Sequence, residues 1–319
     1  MSASARPALY VAILIAALVG TYLFRIRTQG IFACPASGYA GNGYLGYCNA
    51  SAYGEYDHGA FWFGLEPEAQ QAAANADVLF IGNSRMQFGF SATSTGRWFS
   101  ALGLSHYLMG FTFLENSTFA APLLDKLKPH AKVYVINVDQ FFTATETTPG
   151  SGLINGRDAR DRYTEKRNWQ HVQQPLCTAM PKLCGHRIAF FRSRQDGHWQ
   201  ALGFAAEKPD VVADAPPSDQ DQWPTDVIIA RQFLARLPVD RGCVLLTLVP
   251  SPTTRRAEAE AIADALALPL IAPRIDGLTT FDETHLDAAS AERWSSAFLE
   301  AAGARIRQCS AGSSAAAAH

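Results

Sequence analysis

The chain has no excess of either charge. Its 27 Lys and Arg stand against 29 Asp and Glu, a net charge of -2. Without a basic field there is nothing to draw in a phosphate backbone, which argues against a nucleic-acid partner. CxxC and HExxH spacings are also missing, so no metal and no cofactor is expected from motif. From Pro7 to Phe24 (PALYVAILIAALVGTYLF) there is no charge in 18 residues. At 1.5 Å per residue that run spans about 27 Å, close to the hydrocarbon thickness of a bilayer. It lacks the small-residue cleavage site that closes a signal peptide, because Leu23-Phe24-Arg25-Ile26-Arg27 follows directly. Residues 1–27 therefore read as a retained membrane anchor. A cleaved signal ranks below that reading and a buried soluble helix last.

Flanking arginines lie on both sides of the run, so they do not set its orientation. The cysteines say more. Cys34, Cys48, Cys177, Cys184, Cys243 and Cys309 all follow the anchor. An even number in polar segments beyond an anchor points to disulfides in an oxidising compartment. Six cysteines allow about 15 connectivities. Proximity groups them as Cys34 with Cys48, Cys177 with Cys184, and Cys243 with Cys309.

Residues 28–66, rich in Gly, Tyr and Ala, read as a juxtamembrane linker folded back through Tyr53, Phe61, Trp62 and Phe63. His58 within it reads as an exposed loop residue. Glu66 to Ala76 has helical composition. Beyond it, strand patterns at Val78–Ile81, His106–Met109, Val133–Val138, Val244–Val249 and a short Pro269–Ala272 alternate with helical ones at 94–102, 114–127, 254–266 and 288–304. This alternation predicts an α/β fold: a parallel sheet in a three-layer sandwich, spanning 67–309. It is interrupted by an insertion at about 143–222 that holds the Cys177–Cys184 ring and a hairpin over 190–204, turning at Asp196-Gly197. Trp169, Trp199 and Trp223 are candidates for stacking on sugar rings, with ordinary packing as the alternative. Residues 214–224 read as a loop and 310–319 as a small-residue tail.

The chemistry centres on Asp77-Val-Leu-Phe-Ile-Gly-Asn-Ser84-Arg85, a short apolar strand closed by glycine that presents Ser84 at its carboxyl end. Ligands bind at that end of strands in open α/β sheets. About 200 residues later comes Asp282-Glu-Thr-His285-Leu. Serine is a poor nucleophile unless a base takes its proton. His285 suits that task, and Asp282, three residues before it, suits the role of fixing the imidazole tautomer. An oxyanion needs donors, for which Gly110 and Asn137, at the ends of the second and third strands, are candidates. Arg85, beside the nucleophile, is a candidate substrate contact with a structural carboxylate as its alternative partner, and Trp199, in the insertion, is a second candidate substrate contact.

The strand ending in Gly82-Asn83-Ser84, the glycine after the second strand, the polar residue after the third and the closing Asp282-x-x-His285-Leu together resemble the SGNH/GDSL hydrolase superfamily, over roughly residues 77–140 and 243–306. The resemblance implies a flavodoxin-like parallel sheet, with Ser84 as nucleophile, Asp282 and His285 completing a triad, and Gly110 lending an oxyanion donor. Two departures stand out. Asn83 replaces the family's usual Asp. The third block reads Asn137-Val-Asp139-Gln, which puts a carboxylate where an oxyanion asparagine belongs.

A single anchor ahead of such a domain is similar to the group that includes DltD-like and polysaccharide O-acetylation proteins. It implies an O-acyltransferase, acetyl for preference, that modifies a cell-envelope polysaccharide beside a multi-pass membrane O-acyltransferase supplying the acyl group. The location implied is the bacterial cytoplasmic membrane, with the globular domain in the periplasm or outside the cell. Two alternatives are an anchored carbohydrate acetylesterase and a non-catalytic glycan-binding or assembly module on the same fold. The odd third block favours the last.

Overall fold

The computed structural model of the protein describes residues 5–35, 42–156, 158–204, 210–212 and 223–316. In chain order the elements are α1 (Ala5–Gln29), β1 (Gly43–Cys48), β2 (Gly54–Glu55), α2 (Asp57–Phe63), α3 (Pro67–Asn75), β3 (Val78–Asn83), α4 (Ser84–Gly89), α5 (Ala92–Leu102), β4 (His106–Phe111), α6 (Ser117–Leu127) and β5 (Val133–Asn137). There follow α7 (Thr148–Asn155), α8 (Ala159–Ala179), β6 (Ala189–Ser193), β7 (Trp199–Leu202), β8 (Asp210–Val211), α9 (Trp223–Leu234), β9 (Val244–Thr247), α10 (Arg256–Leu266), β10 (Thr279–Thr280) and α11 (Ala288–Ala316). Short 3-10 turns precede β1, β6 and β9.

Two compact units share these elements. The first takes residues 1–57, 161–191 and 200–204; the second takes 58–160, 192–199 and 205–319.

In the first unit, α1 is long and apolar enough over Pro7–Gln29 to cross a membrane, and its apolar window is not buried. Five residues beyond the sequence-read run, including Arg25 and Arg27, continue the helix. The described residues of the supposed linker form regular elements. Strands β1 and β2 pair antiparallel with Tyr47 opposite Glu55, and they belong to a four-stranded sheet ordered β2-β1-β6-β7. The apolar faces of Tyr44, Leu45 and Cys48 are fully buried there. Gln170 of α8 uses both ends of its amide on Leu45, accepting its N–H at 3.0 Å and donating to its carbonyl at 2.8 Å. Disulfides Cys34–Cys48 and Cys177–Cys184 close loops of 14 and 7 residues in this unit.

The second unit is built on a four-stranded parallel sheet ordered β4-β3-β5-β9. Every residue of β3, VLFIGN, is buried, as expected of a strand covered on both faces. Phe80 meets Phe90, Phe99 and Phe298, and α11 brings Trp294 and Phe298 into the same fully buried cluster. Disulfide Cys243–Cys309 ties the end of that helix to the entry of β9 across 66 residues. Thus all three cysteine pairs expected from proximity form, as an oxidising compartment would permit.

Several sequence expectations are corrected. Residues 269–272 make only a single bridge, Leu246 with Leu270, because Pro269 and Pro273 leave too few backbone donors for a ladder. The hairpin turn is longer than two residues and places only Gly197 at positive φ, 74°. Parts of the 143–222 stretch fall in each of the two units. Trp223 and Pro224 open α9 rather than closing a loop, and residues 213–222 lie outside the described residues. The supposed tail from 310 continues α11 to Ala316, the last three residues lying outside the described ones.

Candidate active site

Strand β3 delivers Ser84 to the first position of α4, and the handover is made by Asn83. Its side chain accepts the Arg85 N–H at 3.0 Å, capping the helix, and its amide nitrogen donates to the Asp139 carbonyl at 3.2 Å. An aspartate could not make the second bond, so an asparagine has a local role at this position.

The base arrives from the other end of the chain. Between β10 and α11 the backbone folds tightly, with Glu283 at φ 63° and the Phe281 N–H bonded to the His285 carbonyl at 3.0 Å. One Asp282 oxygen accepts the N–H groups of Thr284 (3.2 Å) and His285 (2.8 Å). The other lies 2.7 Å from His285 Nδ1. Nε2 of His285 then lies 2.8 Å from Ser84 Oγ. Ser84 and a turn 201 positions further along thus form one continuous line of hydrogen bonds. With Asp282 ionised, Nδ1 carries the proton and Nε2 offers its lone pair to the serine hydroxyl.

The surroundings support that charge pattern. Burial pushes Asp282 up, but hydrogen bonding and attraction from His285, with the two backbone N–H groups, outweigh it and hold the carboxyl below its usual range. Phe88 meets the imidazole edge-on with centroids 4.8 Å apart, and Phe281 stacks on it at 5.8 Å. Ser84 is nearly buried. The rings exclude water from most of the imidazole and leave it few rotamers.

Comparison with protein-family models, curated proteins and solved structures finds no match.

The remaining candidate residues divide. Gly110 lies beside the nucleophile strand, opposite Gly82, and a Cβ there would stand 2.5 Å from the Asn83 carbonyl oxygen, so the approach requires glycine. Asn137 is turned inward. Its amide oxygen accepts the Val249 N–H at 3.0 Å and its nitrogen faces Asn83 Oδ1 at 3.5 Å, which joins three strand ends and does not aim it at the serine. Arg85 is not displayed to a substrate either. Buried to 5 % exposure, it pairs with Asp139 and donates to Thr253 Oγ1 at 2.5 Å. Burial pushes the Asp139 carboxyl up against the pull of Arg85. The carboxylate that looked misplaced in the third block therefore has its own counter-ion.

Trp199 is buried against Phe88 at 5.6 Å, behind the ring that braces His285, and is not a sugar platform. Trp169, in the other unit, packs edge-on against Phe32. His58 is fully buried on α2, 2.9 Å from Glu115, where the sequence suggested an exposed loop.

A cavity of about 550 Å³ opens at the carboxyl ends of β4, β5 and β9, lined in part by Phe113, Leu114, Asp139, Gln140, Thr253 and Glu258. Asp139 and Thr253 are the two partners of Arg85, which links this cavity to the residue next to the nucleophile.

Sequence reasoning missed Gln87, Phe88, Phe281 and Arg192. Gln87 and Phe88 sit three and four residues after Ser84 on α4, a spacing that would have flagged them had a helix been read after the serine. Gln87 donates to the carbonyls of Leu108 and Gly110, each at 3.0 Å, and the fully buried Arg192 donates to the same two. Together they cap the outward edge of β4 beside the site.

Proposed function

We propose that the protein is a serine-dependent acyl-transfer enzyme of SGNH type, held to a membrane by α1, and that it moves an acyl group, acetyl for preference, onto a cell-envelope polysaccharide. The observation that carries this reading is the unbroken line from Ser84 Oγ through His285 to Asp282, with contacts of 2.8 and 2.7 Å. A strand order of second, first, third, fourth supports a flavodoxin-like, three-layer arrangement, because doubly wound sheets of that order bind ligands where these strand ends lie.

Ser84 Oγ attacks the carbonyl of a donor ester as its proton passes to His285 Nε2. Asp282 stabilises the imidazolium, and backbone N–H groups at Ser84 and Gly110 receive the oxyanion. Collapse breaks the ester bond to the donor alcohol, which leaves with the proton from His285. A sugar hydroxyl then gives its proton to the same nitrogen, attacks the acyl-serine and restores Ser84 as the new ester forms. One helix has no path for an acyl group through a bilayer, so the donor comes from a multi-pass membrane partner. The three disulfides support a globular part on the oxidising side of the membrane, which on this reading is the periplasm or the cell exterior.

The test is intact-mass analysis of the full chain in detergent after brief exposure to an activated acetyl ester, with Ser84→Ala alongside. An acetyl increment mapped to Ser84, absent from the variant, supports the proposal. Its persistence in water and loss on adding a glycan acceptor mark a transferase. Rapid loss in water alone marks an esterase, and identical behaviour of the two proteins removes the catalytic reading in favour of a binding module.

A further inference from the structure

Away from the serine, at the opposite end of β4, three metal-ligand side chains converge. His106 opens β4, and Asp196 and His198 lie in the turn between β6 and β7. One ligand atom from each lies within 4.8 Å of the other two. The Nε2 atoms of His106 and His198 face each other at 3.3 Å. Two nitrogens each bound at about 2.0–2.1 Å to a tetrahedral ion stand about 3.3–3.4 Å apart. The separation matches what a shared tetrahedral ion would impose.

The groups around the three side chains fix them from behind. The His198 ring bonds to the Phe90 backbone carbonyl, and with Nε2 directed at His106 this assigns the proton to Nδ1. Metal-bound histidines are held this way. His106 stacks on Phe99, with centroids 4.4 Å apart and planes 16° from parallel, and meets Phe80 edge-on. Asp196 Oδ1 accepts the His198 N–H at 3.2 Å, and the Ser193 hydroxyl also bonds this carboxylate. The histidines are 8 % and 6 % exposed, so both rings are dry while Asp196 keeps an opening to solvent.

We propose that His106, Asp196 and His198 form a binding site for a divalent transition-metal ion of the zinc type. Two imidazoles and one carboxylate suit a borderline ion, whereas magnesium and calcium prefer oxygen throughout. The ion pins the hairpin tip to the free edge of β4, where the Asp196 carbonyl already accepts the Leu108 N–H at 2.9 Å. Its role is positioning. Trp199, next to His198, braces Phe88 behind His285.

The full chain in detergent, with any affinity tag removed and metal stripped by chelator, is titrated with Co2+ and then Zn2+. Wild type, His198→Gln and Asp196→Asn are compared; the Asn variant retains the acceptor for the His198 N–H and so keeps the turn. The expected result is one Co2+ per chain with the intense visible bands of a tetrahedral nitrogen-oxygen site. Zn2+ displaces it mole for mole, raises the melting temperature of wild type, and does neither in the variants. Absence of those bands in wild type, or binding of equal affinity and spectrum in both variants, overturns the proposal.

Discussion

Replacing Asp282 by Asn separates the chemistry of the proposed triad from its architecture. The carboxylate makes three contacts. One oxygen holds the N–H groups of Thr284 and His285, and the other accepts His285 Nδ1–H. An asparagine keeps the two backbone bonds only by presenting its carbonyl oxygen to them, which turns its NH2 toward Nδ1. That nitrogen must then be the lone-pair side, and the proton moves to Nε2, 2.8 Å from Ser84 Oγ. A base that already carries its proton cannot accept the serine's. The same tautomer error in another Ser-His-Asp triad costs about 10⁴ in kcat, or about 5.4 kcal/mol of transition-state stabilisation. Since two of the three bonds survive, folding stability should change by no more than about 1 kcal/mol.

The assay is release of chromophore from an activated acetyl ester, with thermal melting of the same samples as the control. Acid titration gives a second readout. A carboxyl held below its unfolded value of about 3.9 contributes stability that is complete above that pH and drains away as pH falls through the folded pKa. The variant should lack that part of the acid limb. If Asp282→Asn keeps activity within about tenfold of wild type while folded, the assigned role of Asp282 is wrong.

Other expectations follow from the same geometry. Gly110→Ala places a methyl against the Asn83 carbonyl oxygen and should cost about 1–3 kcal/mol in denaturant melts, with ester turnover falling further than stability because Ser84 is the next residue. Removing Cys243–Cys309 by paired serines frees a 66-residue loop, for which chain entropy gives about 4 kcal/mol, measurable as a lowered denaturation midpoint. Burial and then Glu258 raise Asp226 to about 6, so its charged form is penalised and stability falls as pH rises from about 4 to 6. Asp226→Asn should therefore melt higher than wild type above pH 6 and level with it below about pH 4.

The parts of this fold legible in sequence were those with short-range signatures. A buried parallel strand is a run of apolar residues, so the positions of β3, β4, β5 and β9 could be read, and with them the serine at one strand end. Asp282 and His285 were legible because one turn joins them. The first unit was not, because its two short hairpins, β1 with β2 and β6 with β7, make a sheet only when β1 and β6 meet from distant parts of the chain. Gly43–Cys48 looks like a linker until its neighbours from 189–202 are beside it. Helix α8 is polar along most of its length and carries Pro175 inside, which hides its period. Arg85 and Trp199 were assigned outward roles because sequence does not show depth. What keeps them in is a carboxylate 54 residues away in one case and an aromatic ring 111 residues away in the other. His106 and His198, 92 residues apart, show no spacing motif for the same reason.

The 201 residues between Ser84 and its base have a consequence for how the protein comes into being. Until the segment after β10 has been synthesised and has docked, Ser84 Oγ has no imidazole beside it. Under the proposed triad, a half-made chain would therefore be harmless to the esters around it. A chain cut anywhere between α10 and α11 stays covalently joined through Cys243–Cys309, so the segment that carries His285 is not lost from the one that carries Ser84.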